Sequence, residues 1–256
     1  MINISVIVTT YNRPKLLKET LDSIINQTYV DFELIVVDNN SNYDFFKLID
    51  SFNDTRIIGY QNDNHGVIAV NRNFGIKKAN GRYIAFCDDD DLWVKNKLEE
   101  QVKFTNNLNK NILIHSNTIL FGNKISSKVT KKFNILNFED FYLSNPITLS
   151  SVMLTNSSRI FFDEDPSKKA SEDFDLWIKL FLDGYKIILI KEPLVEYRIL
   201  TNSVSRNNYS FSYLRYLYVL YGNILEFKLK DVNYIKLCYI SFNNLIKFAI
   251  RKFQGQ

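Results

Sequence analysis

The first half of the chain alternates continuous apolar runs with stretches of helical spacing, and this alternation most limits the folds open to it. Short runs rich in β-branched residues occupy Ile4–Thr9, Phe32–Val37, Arg56–Gln61 and Arg82–Cys87. Such runs are typical of strands in a sheet covered on both faces. Because helical stretches separate them, the pattern predicts an α/β fold with a mostly parallel sheet.

Two helices are predicted between these strands. Pro14 suits the first turn of a helix whose apolar residues recur at helical spacing as far as Ile25. Gly66–Ala79 is the second helix, with Gly81 as its expected C-terminal cap. Because parallel sheets bind ligands beyond the carboxyl ends of their strands, the loops after the four strands are the segments to inspect for function.

The second half is less regular. Strands are predicted at Ile112–Phe121, Thr148–Thr155, Lys186–Ile190 and Leu194–Tyr197, and a helix at Glu172–Leu182. From Tyr209 the chain is aromatic, basic and predicted to be helical. We therefore expect one domain over residues 1–205, with halves at 1–110 and 111–205, and a C-terminal helical extension over residues 206–256.

Composition excludes several classes of protein. The 256 residues are 46% hydrophobic and 23% charged, which argues against a disordered or fibrous chain. A net charge of +4 is too mild to indicate a nucleic-acid partner. Two cysteines, Cys87 and Cys238, make no disulfide framework and favour a reducing, cytoplasmic setting. The N-terminus lacks the basic region of a signal peptide, and the longest apolar stretch is about half of a membrane span.

Four consecutive aspartates, Asp88–Asp91, follow the fourth strand and form the sharpest functional signal. Alternate side chains of an extended backbone share a face, so Asp88 and Asp90 are expected to converge while Asp89 and Asp91 point away. Two carboxylates on one face suit a divalent cation such as Mn²⁺ or Mg²⁺. The alternative is a solvated acidic turn in which Asp91 caps a helix beginning near Val94.

Two further clusters are weaker on their own. Asp38 ends the second strand and is able to accept hydrogen bonds from a base or ribose, whereas Asn39 and Ser41 suit a turn. Glu172 and Asp173 open a predicted helix, where acidic residues commonly serve the helix dipole, but one of them has the chemistry of a general base.

Other catalytic signatures are missing from the sequence. Arg72 lies in an otherwise amphipathic helix and either approaches a diphosphate or faces solvent. His65 and His115 are too far apart for a zinc motif and are expected in a turn or the core. Glycine-rich dinucleotide and phosphate loops and the hydrolase nucleophile motif do not occur.

Taken in order, Ser5–Ser41, Asn64–Trp93 and Ser171–Leu180 strongly resemble the family 2 glycosyltransferases with a GT-A fold, of the bacterial surface-polysaccharide type. The resemblance covers roughly residues 2–205. It implies a Rossmann-like, mostly parallel sheet with flanking helices, and an inverting transfer of a hexose from a nucleotide sugar, most often a UDP-sugar. The expected acceptor is a hydroxyl of a glycan or lipid-linked oligosaccharide, in polysaccharide or lipooligosaccharide assembly.

The resemblance also assigns site residues. Those that would hold the nucleotide are Thr9, Tyr11, Arg13, Asp38, Arg72, Asp88 and Asp89. Asp88 and Asp90 would bind Mn²⁺ or Mg²⁺, and Asp173, paired with Glu172, would be the catalytic base. Asn39 departs mildly from the family, which more often has a second acid there. A larger departure is Leu200, since many relatives carry a histidine that helps to hold metal or diphosphate.

Two other functions remain open at this point. A sugar-nucleotide-binding module that has lost catalysis is supported only by Leu200 and opposed by the intact Glu172–Asp173 pair. A phosphatase of the haloacid dehalogenase type also places Asp-x-Asp after an apolar strand, but that motif normally closes the first strand rather than the fourth.

The C-terminal tail carries the whole net charge, because residues 224–256 hold six basic and two acidic side chains. Apolar residues recur there at steps of three or four, so a helix would carry one apolar stripe; they are Ile235, Tyr239, Phe242, Ile246, Ala249 and Phe253. The stripe either packs on the catalytic domain or lies on the anionic inner face of the cytoplasmic membrane.

Overall fold

The computed structural model describes residues 3–105, 111–122, 125–130, 132–135, 137–142, 144–200, 209–230 and 232–242. Its strands are β1 Ile4–Thr10, β2 Phe32–Asp38, β3 Ile57–Gln61, β4 Tyr83–Asp88, β5 Leu92–Trp93, β6 Ile112–Gly122, β7 Ile125–Thr130, β8 Met153–Thr155 and β9 Lys186–Arg198. Its helices are α1 Pro14–Ile25, α2 Phe45–Asp50, α3 Ile68–Lys78, α4 Lys97–Val102, α5 Glu172–Leu182 and α6 Tyr209–Glu226. Short 3₁₀ turns occupy Phe138–Tyr142, Leu149–Ser151 and Pro166–Lys168.

One mixed sheet joins the strands of the described residues in the order β3-β2-β1-β4-β8-β6-β9-β5, with β7 paired to β6. The first four of these strands are parallel, and β8 runs antiparallel between β4 and β6. Thr10 pairs with Asp38 and Thr9 with Asp88, so the carboxyl ends of β1, β2 and β4 meet at one edge. The α/β architecture and the mostly parallel first half are confirmed.

Both faces of β1, β2 and β4 are buried, as their continuous apolar runs predict, whereas the edge strand β3 is partly exposed. Val6 and Val8 of β1 face the core on the side of α1, whose Leu17 and Leu21 are fully buried. Ile7 of the same strand faces the opposite core. That second core continues into α5 and α6, where Phe174 stacks on Tyr216 with ring centroids 4.5 Å apart. The sheet therefore serves as the common wall of two apolar cores.

Several local predictions need correction. The stretch after Asp91 forms the short β5 before α4, and the cap of α4 is Asn96, so Asp91 is not a helix cap. Gly81 is not the cap of α3 either, since that cap is Ala79. A side chain at Gly81 would put its Cβ 2.5 Å from the backbone nitrogen of Ser5, so close packing against β1 requires glycine there.

Other boundaries of the second half also differ. The predicted strand at Thr148–Thr155 is a 3₁₀ turn followed by β8, and the two strands predicted between Lys186 and Tyr197 are one irregular strand, β9. The pairing of β9 with β6 shifts register on both sides of Asn117, so β9 continues as one strand through this irregular point. The domain boundary predicted at residue 205 lies outside the described residues.

The C-terminal extension packs on the catalytic domain in part. Val219, Leu220 and Ile224 of α6 are buried in the core beside α5. Residues 234–242 are helical and bury Leu237 but expose the described members of the apolar stripe: Ile235 is 86% exposed, Tyr239 67% and Phe242 62%. The remaining members, Ile246, Ala249 and Phe253, lie outside the described residues. Within the described ranges, no helix has the length and apolar character to cross a bilayer.

Ser150 connects the first half of the sheet to the second. Its hydroxyl donates to Oδ2 of Asp91 at 2.6 Å and accepts the backbone N–H of Asp88 at 3.0 Å. Its carbonyl accepts the indole N–H of Trp93 at 2.9 Å. These bonds fix the turn that follows β4.

We predict that Ser150→Ala lowers the free energy of unfolding by about 1–3 kcal/mol, because buried Asp91 loses a hydrogen-bond donor. Thermal or urea unfolding measures this loss. Ser51→Ala is the control, since the exposed Ser51 hydroxyl bonds only the carbonyl of Leu48. Equal stability of the two variants would contradict this role of Ser150.

Candidate active site

The acidic turn after β4, Asp88–Asp91, lies at the edge of the sheet where the carboxyl ends of β1, β2 and β4 meet. β4 ends at Asp88, and the N–H of Asp91 closes a turn onto the carbonyl of Asp88 at 3.2 Å. Asp88, Asp89 and Asp90 all line one cavity. The expected alternation is therefore wrong for Asp89, because the backbone leaves the extended conformation after Asp88. Asp91 does point away, and Ser150 and the N–H of Arg198 bind its carboxylate.

Arg72 links the acidic turn to the start of α5. Its guanidinium donates to Oδ1 of Asp88 at 3.0 Å and to Oε1 of Glu172 at 2.6 Å. The side chain is almost completely buried, and the ring of Phe162 lies 5.3 Å from its guanidinium carbon. A buried arginine with two carboxylate partners is fixed in position, so Arg72 holds the end of β4 beside the start of α5, which lies 100 positions after Arg72 in sequence.

Arg13 binds Asp89 and Asp90 of the acidic turn. It donates to Oδ1 of Asp89 at 3.0 Å and to Oδ2 of Asp90 at 3.1 Å. Thr10 at the end of β1 donates to Oδ2 of Asp89 at 2.7 Å. The first strand–helix loop and the acidic turn thus form one connected polar surface.

Asp173 is the acid of the α5 pair that has no ion-pair partner in the described part of the chain. Its carboxylate accepts the amide of Asn145 at 2.9 Å and the N–H of Phe174 at 2.8 Å. Burial, and then the neighbouring Glu172 carboxylate, raise the pKa of Asp173 to about 7 against the opposing effect of Arg72. A half-buried carboxylate that lines a cavity and has a pKa near neutrality has the properties of a general base.

The cavity lined by Asp88, Asp89 and Asp90 has an excess of negative charge. Burial, followed by Asp88 and Asp89, raises the pKa of Asp90 to about 7. Among the described residues no three acidic, histidine or cysteine side chains are grouped so as to hold a metal ion by themselves. Asp88 and Asp90 carry the hard oxygen atoms that Mn²⁺ and Mg²⁺ prefer, so their chemistry fits a divalent cation.

Two adjoining cavities meet at this surface. The acidic cavity, of about 530 Å³, contains the three aspartates, Glu172 and Asp173. Its far side carries Lys132 and Asn145; burial lowers the pKa of Lys132, and nearby Asp173 opposes this shift. The second cavity, of about 380 Å³, shares Thr9, Arg13 and Asp89 with the first and is called the amide cavity here. Its asparagines are Asn39, Asn64 and Asn71.

The structure brings most of the residues expected from sequence to these cavities. Those that line one or both are Thr9, Tyr11, Arg13, Arg72, Asp88, Asp89, Asp90, Glu172 and Asp173. Asp38 lines neither cavity: it is fully buried, and its carboxylate accepts the N–H and hydroxyl of Ser41 and the amide of Gln61. The neighbouring Asn39 occupies the cavity wall instead, and its side chain was expected only to form a turn.

Arg198, the last residue of β9, forms hydrogen bonds to the acidic turn. The N–H of Arg198 binds Asp91, and its guanidinium donates to the carbonyl of Asp90 at 2.8 Å. Tyr197 lines the acidic cavity beside it. Tyr197 and Arg198 therefore lie at the acidic turn, and Leu200 follows two residues after Arg198. His65 lies in an exposed loop and His115 is buried in the sheet, as expected for histidines without a ligand role.

Comparisons with known proteins agree with this arrangement. The fold with its acidic turn at the parallel sheet edge is that of the GT-A glycosyltransferases. The chain matches the model "Glycosyl transferase family 2" over residues 5–165, and it belongs to that family. It is 30% identical over 211 residues to an Escherichia coli UDP-Glc:α-D-GlcNAc-diphosphoundecaprenol β-1,3-glucosyltransferase, covering 80% of this chain and 81% of that protein.

Solved structures give the same fold. Staphylococcus aureus TarS 1–349 in complex with UDP-GlcNAc superposes with a TM-score of 0.71 at 20% identity, covering 93% of this chain and 70% of that one. A mannosyltransferase of Pyrobaculum calidifontis in complex with GDP-Man and Mn²⁺ gives a TM-score of 0.62 at 18% identity, covering 88% and 64%. At these identities the likeness concerns the fold alone.

We predict that glycosyl transfer rises with pH through a midpoint near the pKa of Asp173, about 7, because a general base works only when deprotonated. Asp173→Asn should lower transfer by about 10²–10⁴-fold and leave nucleotide binding near that of the wild type. Initial rates across pH and calorimetric titration with nucleotide measure both effects. The control Asp183→Asn changes an acid at the far end of α5; retained transfer by Asp173→Asn would assign the base elsewhere.

Proposed function

We propose that the protein is an inverting, metal-dependent hexosyltransferase that uses a UDP-sugar and transfers the hexose to a hydroxyl of a glycan or lipid-linked acceptor. The observation that carries this proposal is the placement of Asp173 opposite the acidic turn, with Arg72 between them. A base and a diphosphate-binding surface then face each other across one cavity. In this proposal residues 1–110 would bind the nucleotide and residues 111–205 the acceptor.

The donor side is formed by the acidic turn and the two arginines. Asp88 and Asp90 would hold Mn²⁺ or Mg²⁺, which neutralises charge that develops on the departing diphosphate. Arg13 and Arg72 fix these carboxylates and keep them from moving apart under mutual repulsion. Asp89 is fixed by Arg13 and Thr10 and lines both cavities, and it would accept a hydrogen bond from a ribose hydroxyl.

The acceptor side is formed around Asp173. Its carboxylate removes the proton from the acceptor hydroxyl while that oxygen bonds to the anomeric carbon. The bond from this carbon to the diphosphate oxygen breaks in the same step, and the nucleoside diphosphate carries away the electron pair. Attack from the face opposite the leaving group inverts the anomeric configuration. Asn145 orients the base through its 2.9 Å hydrogen bond.

The E. coli relative supports the choice of substrates. Its name gives UDP-Glc as donor and a diphosphoundecaprenol-linked sugar as acceptor. Transferred to this chain, these substrates place it in surface polysaccharide or lipooligosaccharide synthesis at the cytoplasmic face of the membrane. The ammonium of Lys132 lies on the acceptor side of the cavity, where an anionic acceptor would contact it.

Donor turnover tests the proposal directly. With a panel of nucleotide sugars, we expect UDP-hexose hydrolysis that requires Mn²⁺ or Mg²⁺ and stops with a chelator. Asp88→Asn and Asp90→Asn should each weaken Mn²⁺-dependent UDP binding by at least about 10-fold, since each removes a charged ligand. Asp22→Asn, an exposed acid paired with Lys18, is the control. Metal-independent binding, or no turnover of any nucleotide sugar, would refute this function and favour a binding module.

We further propose that the C-terminal segment places the enzyme on an anionic membrane surface. Ile235, Tyr239 and Phe242 project from one face of the helix into solvent rather than into the core. Lys228 and Lys230 are exposed on the preceding turn. Aromatic and aliphatic side chains beside lysines suit the interface of an anionic leaflet, where the expected lipid-linked acceptor lies.

Replacement of Ile235, Tyr239 and Phe242 by serine should abolish sedimentation with vesicles that contain phosphatidylglycerol and leave turnover of soluble substrates unchanged. Wild-type binding should also weaken as salt rises, because charge contributes to it. The matched control replaces Val30, Phe46 and Phe161, which are exposed at other places. Equal vesicle binding by the two triple variants would refute the membrane role.

A further inference from the structure

Asn71 is a buried side chain with an unused hydrogen-bond donor. Its residue is only 1% exposed, and its amide nitrogen, Nδ2, has no partner among the described residues. A buried amide N–H without a partner is costly, so native structures rarely retain one without a reason. Because Asn71 lines the amide cavity, the missing partner has a place to bind.

The orientation of Asn71 is fixed by its surroundings. It lies in α3 directly before Arg72, the residue that joins Asp88 to Glu172. Its Oδ1 accepts the amide of Asn62 at 2.8 Å, which leaves Nδ2 as the free end of the group. The side chain is therefore held by one end and presents donors with the other.

The rest of the amide cavity is also rich in donors. Oδ1 of Asn39 accepts the N–H of Asn64 at 2.8 Å, and Oδ1 of Asn64 accepts the N–H of Gly66 at 2.8 Å. The amide nitrogens of these two asparagines have no partner in the described part of the chain. The nearest carboxylate of β2, Asp38, is already bound by Ser41 and Gln61. Side-chain amide donors thus outnumber free carboxylate acceptors along this wall.

A donor-rich wall complements a ligand that carries carbonyl oxygens. Uracil has two carbonyl oxygens and a single N–H on its ring, whereas cytosine replaces one of those oxygens with an amino group. On the basis of the UDP-sugar donor proposed above, we infer that Nδ2 of Asn71 donates a hydrogen bond to a carbonyl oxygen of the uracil ring. Asn71 is then a specificity-determining residue for the nucleobase.

The test compares Asn71→Asp and Asn71→Ala with the wild type and with Asn96→Asp, a helix-cap change away from both cavities. Calorimetric titrations with UDP and with CDP, each in the presence of Mn²⁺, give the dissociation constants, and thermal unfolding confirms that each variant is folded. Asn71→Asp removes the donors while keeping the size of the side chain. We expect it to weaken UDP binding by about 10–100-fold, and Asn71→Ala by about 10-fold.

The CDP arm identifies which carbonyl is bound. If CDP binding is unchanged or improved in Asn71→Asp, the contact is with the oxygen that cytosine lacks; if CDP and UDP lose equally, it is with the oxygen that both bases carry. Either result supports the inference. UDP affinities of the two folded variants within twofold of the wild type would overturn it while leaving the donor proposal intact. Failure of the wild type itself to bind UDP would overturn the donor proposal as well.

Discussion

The contact of Arg72 with Asp88 and Glu172 is the constraint around which the site is arranged. One guanidinium from α3 binds the last residue of β4 at 3.0 Å and the first residue of α5 at 2.6 Å. Because Arg72 and Glu172 are almost fully buried, the Glu172 carboxylate has little access to water, and loss of the arginine would leave it as an unpaired buried charge. The Asp88 side chain is 33% exposed and faces the cavity, so it would lose only its ion-pair partner. This contact keeps the acidic turn at a fixed place opposite Asp173.

The distribution of partners gives adjacent acids different roles. Glu172 is neutralised by Arg72, whereas Asp173 has no ion-pair partner among the described residues, accepts amide hydrogen bonds and has a raised pKa. In the acidic turn Asp91 is bound by Ser150 and Arg198, whereas Asp88 and Asp90 remain on the cavity wall. Burial and pairing thus separate acids that support the structure from acids available for chemistry, although the sequence shows them as uniform clusters.

Much of the fold was predictable from local pattern. Continuous β-branched runs predicted β1, β2 and β4, because strands covered on both faces must be apolar throughout, and a shorter run predicted the partly exposed edge strand β3. The second half was harder: β8 has three residues and inserts antiparallel between β4 and β6, and so short a strand depends on its neighbours for its conformation. Strand alternation also failed to predict the direction of Asp89, because it assumes an extended backbone and β4 ends at Asp88.

By itself the sequence determined the α/β class, the order of the motifs and the kinds of acid at each strand end, since these depend on residue type and spacing along the chain. Only the tertiary structure decided which acids share the acidic cavity, that Asn39 rather than Asp38 lines the amide cavity, and that Nδ2 of Asn71 has no partner among the described residues. The described part of the tail also turned its apolar stripe outward. These outcomes depend on burial and on partners distant in sequence, which spacing along one chain does not specify.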